Sequence, residues 1–134
     1  MKNIIAIGAG AAIGTYLRYF LNLQTLSVGY PIGTFIENLA GSLLLGLLSG
    51  YFVAMKPKEW VKAGLEIGLC GGFTTFSTFV SDTVWLYLDQ NLWQSLLYVV
   101  TTVTGGILLA FVGFSLGHKT GKKKILQKRV GTQQ

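Results

Sequence analysis

The chain has 134 residues, of which 51% are hydrophobic and only 12% are charged, a composition that is typical of integral membrane proteins and excludes an ordinary soluble domain. A formal net charge of +6 suggests nucleic-acid binding, but six of the eleven basic residues lie in the last sixteen positions. More than half of the basic residues therefore lie in a C-terminal tail. Cys70 is the only cysteine, so no intrachain disulfide is possible.

Four apolar segments are long enough to cross the membrane, which takes about 20 helical residues for about 30 Å of hydrocarbon. They cover approximately residues 4–22, 32–54, 62–88 and 92–117. Pro31, Pro57 and the polar turn 89–91 separate them. The sequence predicts an all-α integral membrane protein, with a four-helix transmembrane domain over residues 1–118 and a basic tail over residues 119–134.

Glycines four residues apart recur along the predicted helices. Because hydrophobicity does not drive helices together in lipid, small residues that allow close backbone approach are the usual packing positions. We expect most of these glycines to pack, and we expect at least a dimer because four helices are few for enclosing a water-filled path. The pairs are Gly10 with Gly14, Gly46 with Gly50, Gly64 with Gly68, and Gly113 with Gly117.

The third segment contains the run GGFTTFSTF, from Gly71 to Phe79. Two glycines followed by two threonines form a helix poorly, so we expect an interruption at Gly71-Gly72 and a resumed helix around Phe76. Carbonyl groups freed at that depth must meet a cation, a partner helix or water. An interrupted membrane helix with hydroxyl and aromatic side chains beside it indicates a site that handles ions.

Polar side chains at membrane depth are candidates for the lining of that site. Thr34 and Asn38 are four residues apart and share one face of the second helix. Asn38 either offers an amide donor or merely ties two helices together. The other hydroxyl groups either add to the lining or bond to their own backbone carbonyls, and they belong to Ser77, Thr78, Thr101, Thr102 and Thr104.

Phe76 and Phe79 are three residues apart and lie on one side of the resumed half-helix. An aromatic pair at this spacing is commonly part of a core. A phenyl ring also has a positive edge, so two rings turned edge-on into a narrow dry passage could contact a small anion without holding it too tightly to release.

The sequence from Gly68 to Phe79 resembles the signature of the small fluoride channels called Fluc, or CrcB-type proteins. This resemblance implies an antiparallel dimer with two pores, passive and selective fluoride export that reduces cytoplasmic fluoride toxicity, and a structural sodium ion at the centre of the dimer. Two further motifs agree with the resemblance, Gly10-x-x-x-Gly14-x-x-x-Arg18-Tyr19 and Gly33-Thr34-x-x-x-Asn38-x-x-Gly41.

The resemblance also implies roles for single residues. The backbone carbonyls of Gly71 and Thr74 would bind the sodium ion, and carbonyl oxygens suit such a hard cation. Phe76 and Phe79 would be the ring pair along the fluoride path. Arg18 would lie near a pore mouth, with a snorkelling membrane anchor as an equal alternative. The polar lining would consist of Asn38, Thr34, Ser77, Thr78 and Thr102.

Two residues depart from the family's pattern. Gly106 stands where a hydroxyl is expected one turn after Thr102, which would remove part of the polar lining and impair one pore. Glu37 places a carboxyl group next to Asn38, but adjacent helical residues point about 100° apart. We expect Glu37 to be protonated or paired at a helix interface. Asp82, near the end of its helix, could simply be solvated.

The basic residues are distributed asymmetrically. With a cytoplasmic N-terminus, ten of the eleven lie inside, and neither outer loop has a Lys or Arg. Such a bias sets one orientation. We therefore predict a plasma-membrane protein with both termini cytoplasmic that pairs with an oppositely oriented homologous subunit, and a homodimer is the alternative. The tail would anchor the topology near anionic lipid.

Two other functions remain possible from the sequence. A proton-coupled small exporter would use Glu37 as its titrating carboxyl group, and a mainly structural partner subunit would be compatible with Gly106. An enzyme is not predicted, because His118 is the only histidine and lies at the end of a span, without a nucleophile or metal cluster beside it.

Overall fold

The computed structural model describes residues 1–25 and 28–131 of the chain. Within these ranges all regular structure is helical, and the third span consists of two half-helices. This architecture confirms the predicted all-α membrane fold. The helices are α1 (Lys2–Thr25), α2 (Ile32–Met55), α3 (residues 59–73), α4 (residues 77–90) and α5 (Leu92–Gly131).

Three of these helices are long and apolar enough to cross a membrane, counting only the part of the chain that the structure describes: α1, α2 and the stretch Leu92–Gln127 of α5. The third span is divided, and neither α3 nor α4 alone reaches that length. The predicted segment 62–88 is thus longer in the structure, running from residue 59 to residue 90.

The interruption of the third span was predicted at the wrong residues. Helix α3 is π-wound over Ala63–Cys70 and continues through Gly71–Phe73, and α4 begins at Ser77. Thr74 is the first extended residue, with φ −78° and ψ 156°. The glycines remain helical because Gly72 packs against α1, where a Cβ atom would lie 2.6 Å from Ala11 O.

Glycines bring α1 and α3 into backbone contact. A Cβ atom on Gly10 would overlap Gly64 O, and one on Gly14 would overlap Leu69 O. A Cβ atom on Gly68 would lie 2.6 Å from Ile7 O. Only the absence of side chains permits this approach, which gives van der Waals contact that lipid cannot supply.

Helices α2 and α5 form a second pair of the same kind. A Cβ atom on Gly46 would overlap Ala110 O, and one on Gly50 would overlap Phe114 O. From the other side, Gly113 and Gly117 approach backbone oxygens of α2 equally closely. The expectation that these spaced glycines are packing positions is confirmed.

The C-terminal ends of α2 and α5, both predicted to lie on the cytoplasmic side, also pack together. Helix α2 ends at Met55 and is capped by Lys56, which has a left-handed backbone (φ 47°) and donates its N–H to Phe52 O. Helix α5 continues past the predicted end of its span, and Gly121 would place a Cβ atom 2.7 Å from Ala54 Cβ. Lys124 Nζ donates to the Tyr51 hydroxyl at 3.2 Å.

Candidate functional site

The break between α3 and α4 is closed by the side chain of Asn38 on α2. Asn38 Nδ2 donates to Thr75 O at 3.0 Å, and Thr75 N donates to Asn38 Oδ1 at 2.9 Å. The amide supplies both backbone groups of Thr75 with the partners that a continuous helix would have given, which lipid cannot do. Of the two roles that the sequence left open for Asn38, this contact is the one that ties helices together. Its second amide hydrogen has no protein partner among the described residues.

Thr75 organises the start of α4 and is only 7% exposed. Its Oγ1 accepts from Thr78 N at 3.3 Å, which caps the first turn, and donates to Thr78 Oγ1 at 3.1 Å. Ser77 Oγ lies 3.4 Å from the same oxygen. Sequence reasoning singled out both neighbours and missed Thr75. The signal in the sequence that points to Thr75 is a threonine just before the expected half-helix, where its hydroxyl can accept a hydrogen bond from the backbone N–H three residues later.

A groove of about 350 Å³, the first groove, lies in front of the break. Its lining comes from α2, the break, α4 and α5. It brings together five of the residues predicted for the site, Asn38, Thr74, Phe76, Phe79 and Thr102. The remaining lining residues were not predicted as site residues, and they are Gly41, Ser42, Leu45, Thr75, Val103, Gly106 and Ile107.

The two predicted rings belong to a longer aromatic row. Phe76 is 78% exposed, and its ring centroid lies 6.1 Å from that of Phe79. Phe79 in turn lies 5.4 Å from Tyr98, and Tyr98 meets the edge of Tyr30 at 6.2 Å. The row therefore runs from the exposed ring of Phe76 to the buried ring of Tyr98 and ends at Tyr30, which is partly exposed.

Tyr98 is the buried centre of that row and was missed from the sequence. It is 1% exposed, and its hydroxyl donates to Asp82 Oδ2 at 3.3 Å. Asp82 is therefore bonded within the protein, contrary to the suggestion of a simply solvated carboxylate. The signal in the sequence was the position of Tyr98 one helical turn before Thr102, on the same face of α5.

A second groove, of about 330 Å³, holds two further predicted residues, Thr34 and Thr78. Thr34 and Asn38 share a face of α2 as predicted, yet they line different grooves. The hydroxyl contact between Thr75 and Thr78 connects the grooves, because each residue lines one of them. The other residues lining the second groove are Asn22, Thr25, Gly29, Tyr30, Pro31, Gly33, Asp82 and Trp85.

The threonine hydroxyls of α5 bond to their own helix. Thr102 Oγ1 donates to Tyr98 O at 2.6 Å, although the residue lines the first groove. Thr101 and Thr104 donate to carbonyls one turn earlier in the same way. This is the second of the two alternatives that the sequence allowed for these side chains.

Three predicted residues line neither groove: Ser77, Gly71 and Arg18. Ser77 touches the hydroxyl cluster of Thr75 from its exposed side. Arg18 accepts a hydrogen bond through its backbone carbonyl from Asn22 Nδ2 at 3.2 Å. The structure thus gathers most of the predicted lining at the break and leaves Arg18 on α1, away from it.

Glu37 is fully buried between α1 and α2. Asn22 Nδ2 donates to Glu37 Oε1 at 2.7 Å, and Oε2 has no partner in the described part of the chain. Of the two states expected for Glu37, protonated or paired at a helix interface, the structure shows a carboxyl group paired with an amide donor at such an interface. Glu37 lines neither groove.

The backbone carbonyls of Gly71 and Thr74 are the ones predicted to bind a cation. Thr75 N is the helical donor for Gly71 O, but it bonds to Asn38 instead. Neither carbonyl has a hydrogen-bond partner within residues 1–25 and 28–131. No cluster of three or more His, Cys, Asp or Glu side chains occurs in the same ranges.

The fold and the site define a small helical membrane protein whose third span is interrupted beside a groove of aromatic and hydrogen-bonding side chains. The profile of one family, described as "CrcB-like protein, Camphor Resistance (CrcB)", matches residues 5–114. The chain therefore belongs to the CrcB family.

Three relatives illustrate the similarity. A protein of Halalkalibacterium halodurans is 50% identical over 124 residues, which is 92% of each chain. One of Bacillus licheniformis is 43% identical, covering 92% of this chain and 96% of its own, and one of Bacillus subtilis is 41% identical, covering 100% and 99%. All three carry the name "Fluoride-specific ion channel FluC 2".

Proposed function

We propose that the chain is a subunit of a fluoride-selective channel that lets fluoride leave the cell passively across the plasma membrane. The observation that carries the proposal is the first groove, in which phenyl rings and hydrogen-bonding groups meet at a broken membrane helix. Membership of the CrcB family and the names of the relatives support fluoride as the ion. They also support a channel as the class of protein, in place of an enzyme.

The phenyl rings supply weak contacts along the path. The edge of an aromatic ring is positive, so Phe76 and Phe79 attract an anion that has shed part of its water. Because the phenyl ring has no formal charge, the anion is bound weakly and its release stays fast, as conduction requires. The exposed position of Phe76 suits a ring that borders the path.

Hydrogen-bond donors replace the water that fluoride loses. The free amide hydrogen of Asn38 is one donor in the first groove, and the hydroxyls of Thr34 and Thr78 are others in the second. The Ser77 hydroxyl lies beside them, next to that of Thr75. Thr102 donates only after its hydroxyl leaves Tyr98 O. Arg18, on α1, raises the local concentration of anions near a pore mouth.

The residues at the break fit a structural sodium ion. The free carbonyls of Gly71 and Thr74 are hard oxygen ligands, and two from each subunit complete a small cation site. When bound, the ion supplies a positive charge that holds these carbonyls together. Within this chain, Asn38 keeps the Gly71 carbonyl free by occupying Thr75 N.

The subunit works as half of an antiparallel dimer. Residues 1–118 form the channel domain, and residues 119–134 form a basic tail on the cytoplasmic side, together with the N-terminus. The loop asymmetry of Lys and Arg supports a single orientation. The partner is then an oppositely oriented homologous subunit, and a homodimer is the second possibility.

Flux measurements test the function. The purified chain is reconstituted in liposomes, alone and with an oppositely oriented homologue, and efflux of fluoride and chloride is followed with ion-selective electrodes. We expect fluoride efflux that follows the membrane voltage, no dependence on a proton gradient, and no chloride efflux. Fluoride efflux that requires a proton gradient would identify an exporter, and absence of fluoride efflux in both preparations would refute the proposal.

A further inference from the structure

The hydroxyl groups in the first groove differ in whether they already donate a hydrogen bond within the protein. The groove has four of them, on Ser42, Thr74, Thr75 and Thr102. Three donate within the protein: Thr74 to Cys70 O at 2.9 Å, Thr75 to Thr78 Oγ1 at 3.1 Å, and Thr102 to Tyr98 O at 2.6 Å. Ser42 Oγ has no hydrogen-bond partner among the residues that the structure describes.

Ser42 does not use the backbone acceptor that its own helix offers. A serine or threonine in this setting commonly donates to the carbonyl four residues earlier, as Thr101 and Thr104 do here. The corresponding acceptor for Ser42 is Asn38 O, and this bond is not made. A hydroxyl without an acceptor is costly away from water, so the site favours a ligand that can accept its proton.

Ser42 continues a line of polar side chains on α2. Thr34, Asn38 and Ser42 follow each other at intervals of four residues, which places them on one helical face. Asn38 and Ser42 both line the first groove. The free amide hydrogen of Asn38 and the free hydroxyl of Ser42 are thus successive donors, one turn apart.

Gly106 provides the space for the Ser42 hydroxyl. A Cβ atom on Gly106 would lie 3.2 Å from Ser42 Oγ, closer than side-chain atoms normally pack. The sequence suggested that Gly106 leaves a gap in the polar lining. In the fold, the neighbouring helix already offers a hydroxyl at that place.

We propose that Ser42 donates its hydroxyl hydrogen to the anion in the first groove and that Gly106 keeps this position open. The inference rests on the proposed channel function for the identity of the anion, which is fluoride. Ser42 is then a further residue of the conduction path, in addition to those predicted from the sequence.

The test compares Ser42→Ala with the unchanged protein in the liposome assay at limiting fluoride. Loss of a hydrogen bond to a charged ligand lowers fluoride flux about tenfold or more. Thr104→Ala is the matched control, because its hydroxyl bonds to Val100 O and lies outside the groove. This control retains full flux.

A second variant separates donation from packing. In Ser42→Ala/Gly106→Ser the hydroxyl returns to the same space from α5, and we expect most of the flux to return. Unchanged flux in Ser42→Ala would overturn the inference while fluoride flux in the unchanged protein still upholds the channel. A loss in Ser42→Ala that accompanies altered elution on size exclusion and is not rescued by Gly106→Ser would assign the hydroxyl to packing, and also overturn it.

Discussion

The side-chain amide of Asn38 forms two hydrogen bonds with the backbone of Thr75, at 3.0 and 2.9 Å, and thereby joins α2 to the break in the third span. One residue thus performs two tasks. It satisfies backbone groups that lipid would leave unpaired, and it prevents Thr75 N from reaching Gly71 O.

Replacing Asn38 by Ala should destabilise the protein by about 2 kcal/mol or more, because a buried donor and a buried acceptor lose their partners together. Unfolding in detergent measures the change. Asn3→Ala, at the exposed start of α1, is the control and should have no effect. Equal stability of the two variants would show that the break does not depend on this amide.

Replacing Phe76 or Phe79 by Ile should sharply reduce fluoride flux with assembly intact, because an apolar volume remains but the positive ring edge is gone. Efflux from liposomes measures it. Phe20→Ile, on the exposed surface of α1, controls for the loss of a ring elsewhere. Full flux in both groove variants would assign the two rings to packing.

The proposed sodium site predicts that substitutions at its two residues are tolerated differently. Thr74→Ser should be mild, because the ion is bound through the carbonyl. Gly71→Val should reduce flux and weaken dimerisation, although a Cβ atom there meets nothing within 4 Å in its own subunit. The same loss is expected when sodium is replaced by a large organic cation during purification. Dimers that assemble and conduct equally without sodium would contradict the site.

The glycine contacts can be tested by a matched pair of alanine substitutions. Gly50→Ala places a Cβ atom against Phe114 O on α5 and should cost about 1–3 kcal/mol of stability. Gly8→Ala meets nothing within 4 Å and should be neutral or slightly stabilising, since alanine favours the helix. Thermal unfolding of both variants measures the change in stability. Equal losses of stability would mean that backbone contact does not hold α2 and α5 together.

Orientation is the remaining prediction. A reporter fused after Gln134 should be found almost entirely in the cytoplasm, because ten basic residues lie on one side and none lie in the opposite loops. Fluoride resistance would then require the inverted partner. A reporter divided evenly between the two sides, or full flux from this chain alone, would favour the homodimer.

The sequence by itself determined the class of fold, because an apolar run of membrane-crossing length has few alternatives to a helix. It also identified the spaced glycines, since their period of four residues is a local property of one helix. The interruption of the third span was foreseen from poor helix formers, but it was placed at Gly71-Gly72 instead of Thr74–Phe76. Local propensity could not show that α1 packs on Gly72 and keeps it helical.

Only the tertiary structure decided which polar groups are free. Asn38 and Thr102 were both predicted as donors from the sequence, yet one amide hydrogen of Asn38 bonds to Thr75 and Thr102 bonds to its own helix. Ser42 was not predicted, and its hydroxyl is unpaired in the described part of the chain. Tyr98 was overlooked for the same reason, because its contact with Phe79 joins different helices. The helical period predicts which residues share a face. Which acceptor each polar hydrogen meets depends on the neighbour that packing places within about 3 Å of the donor.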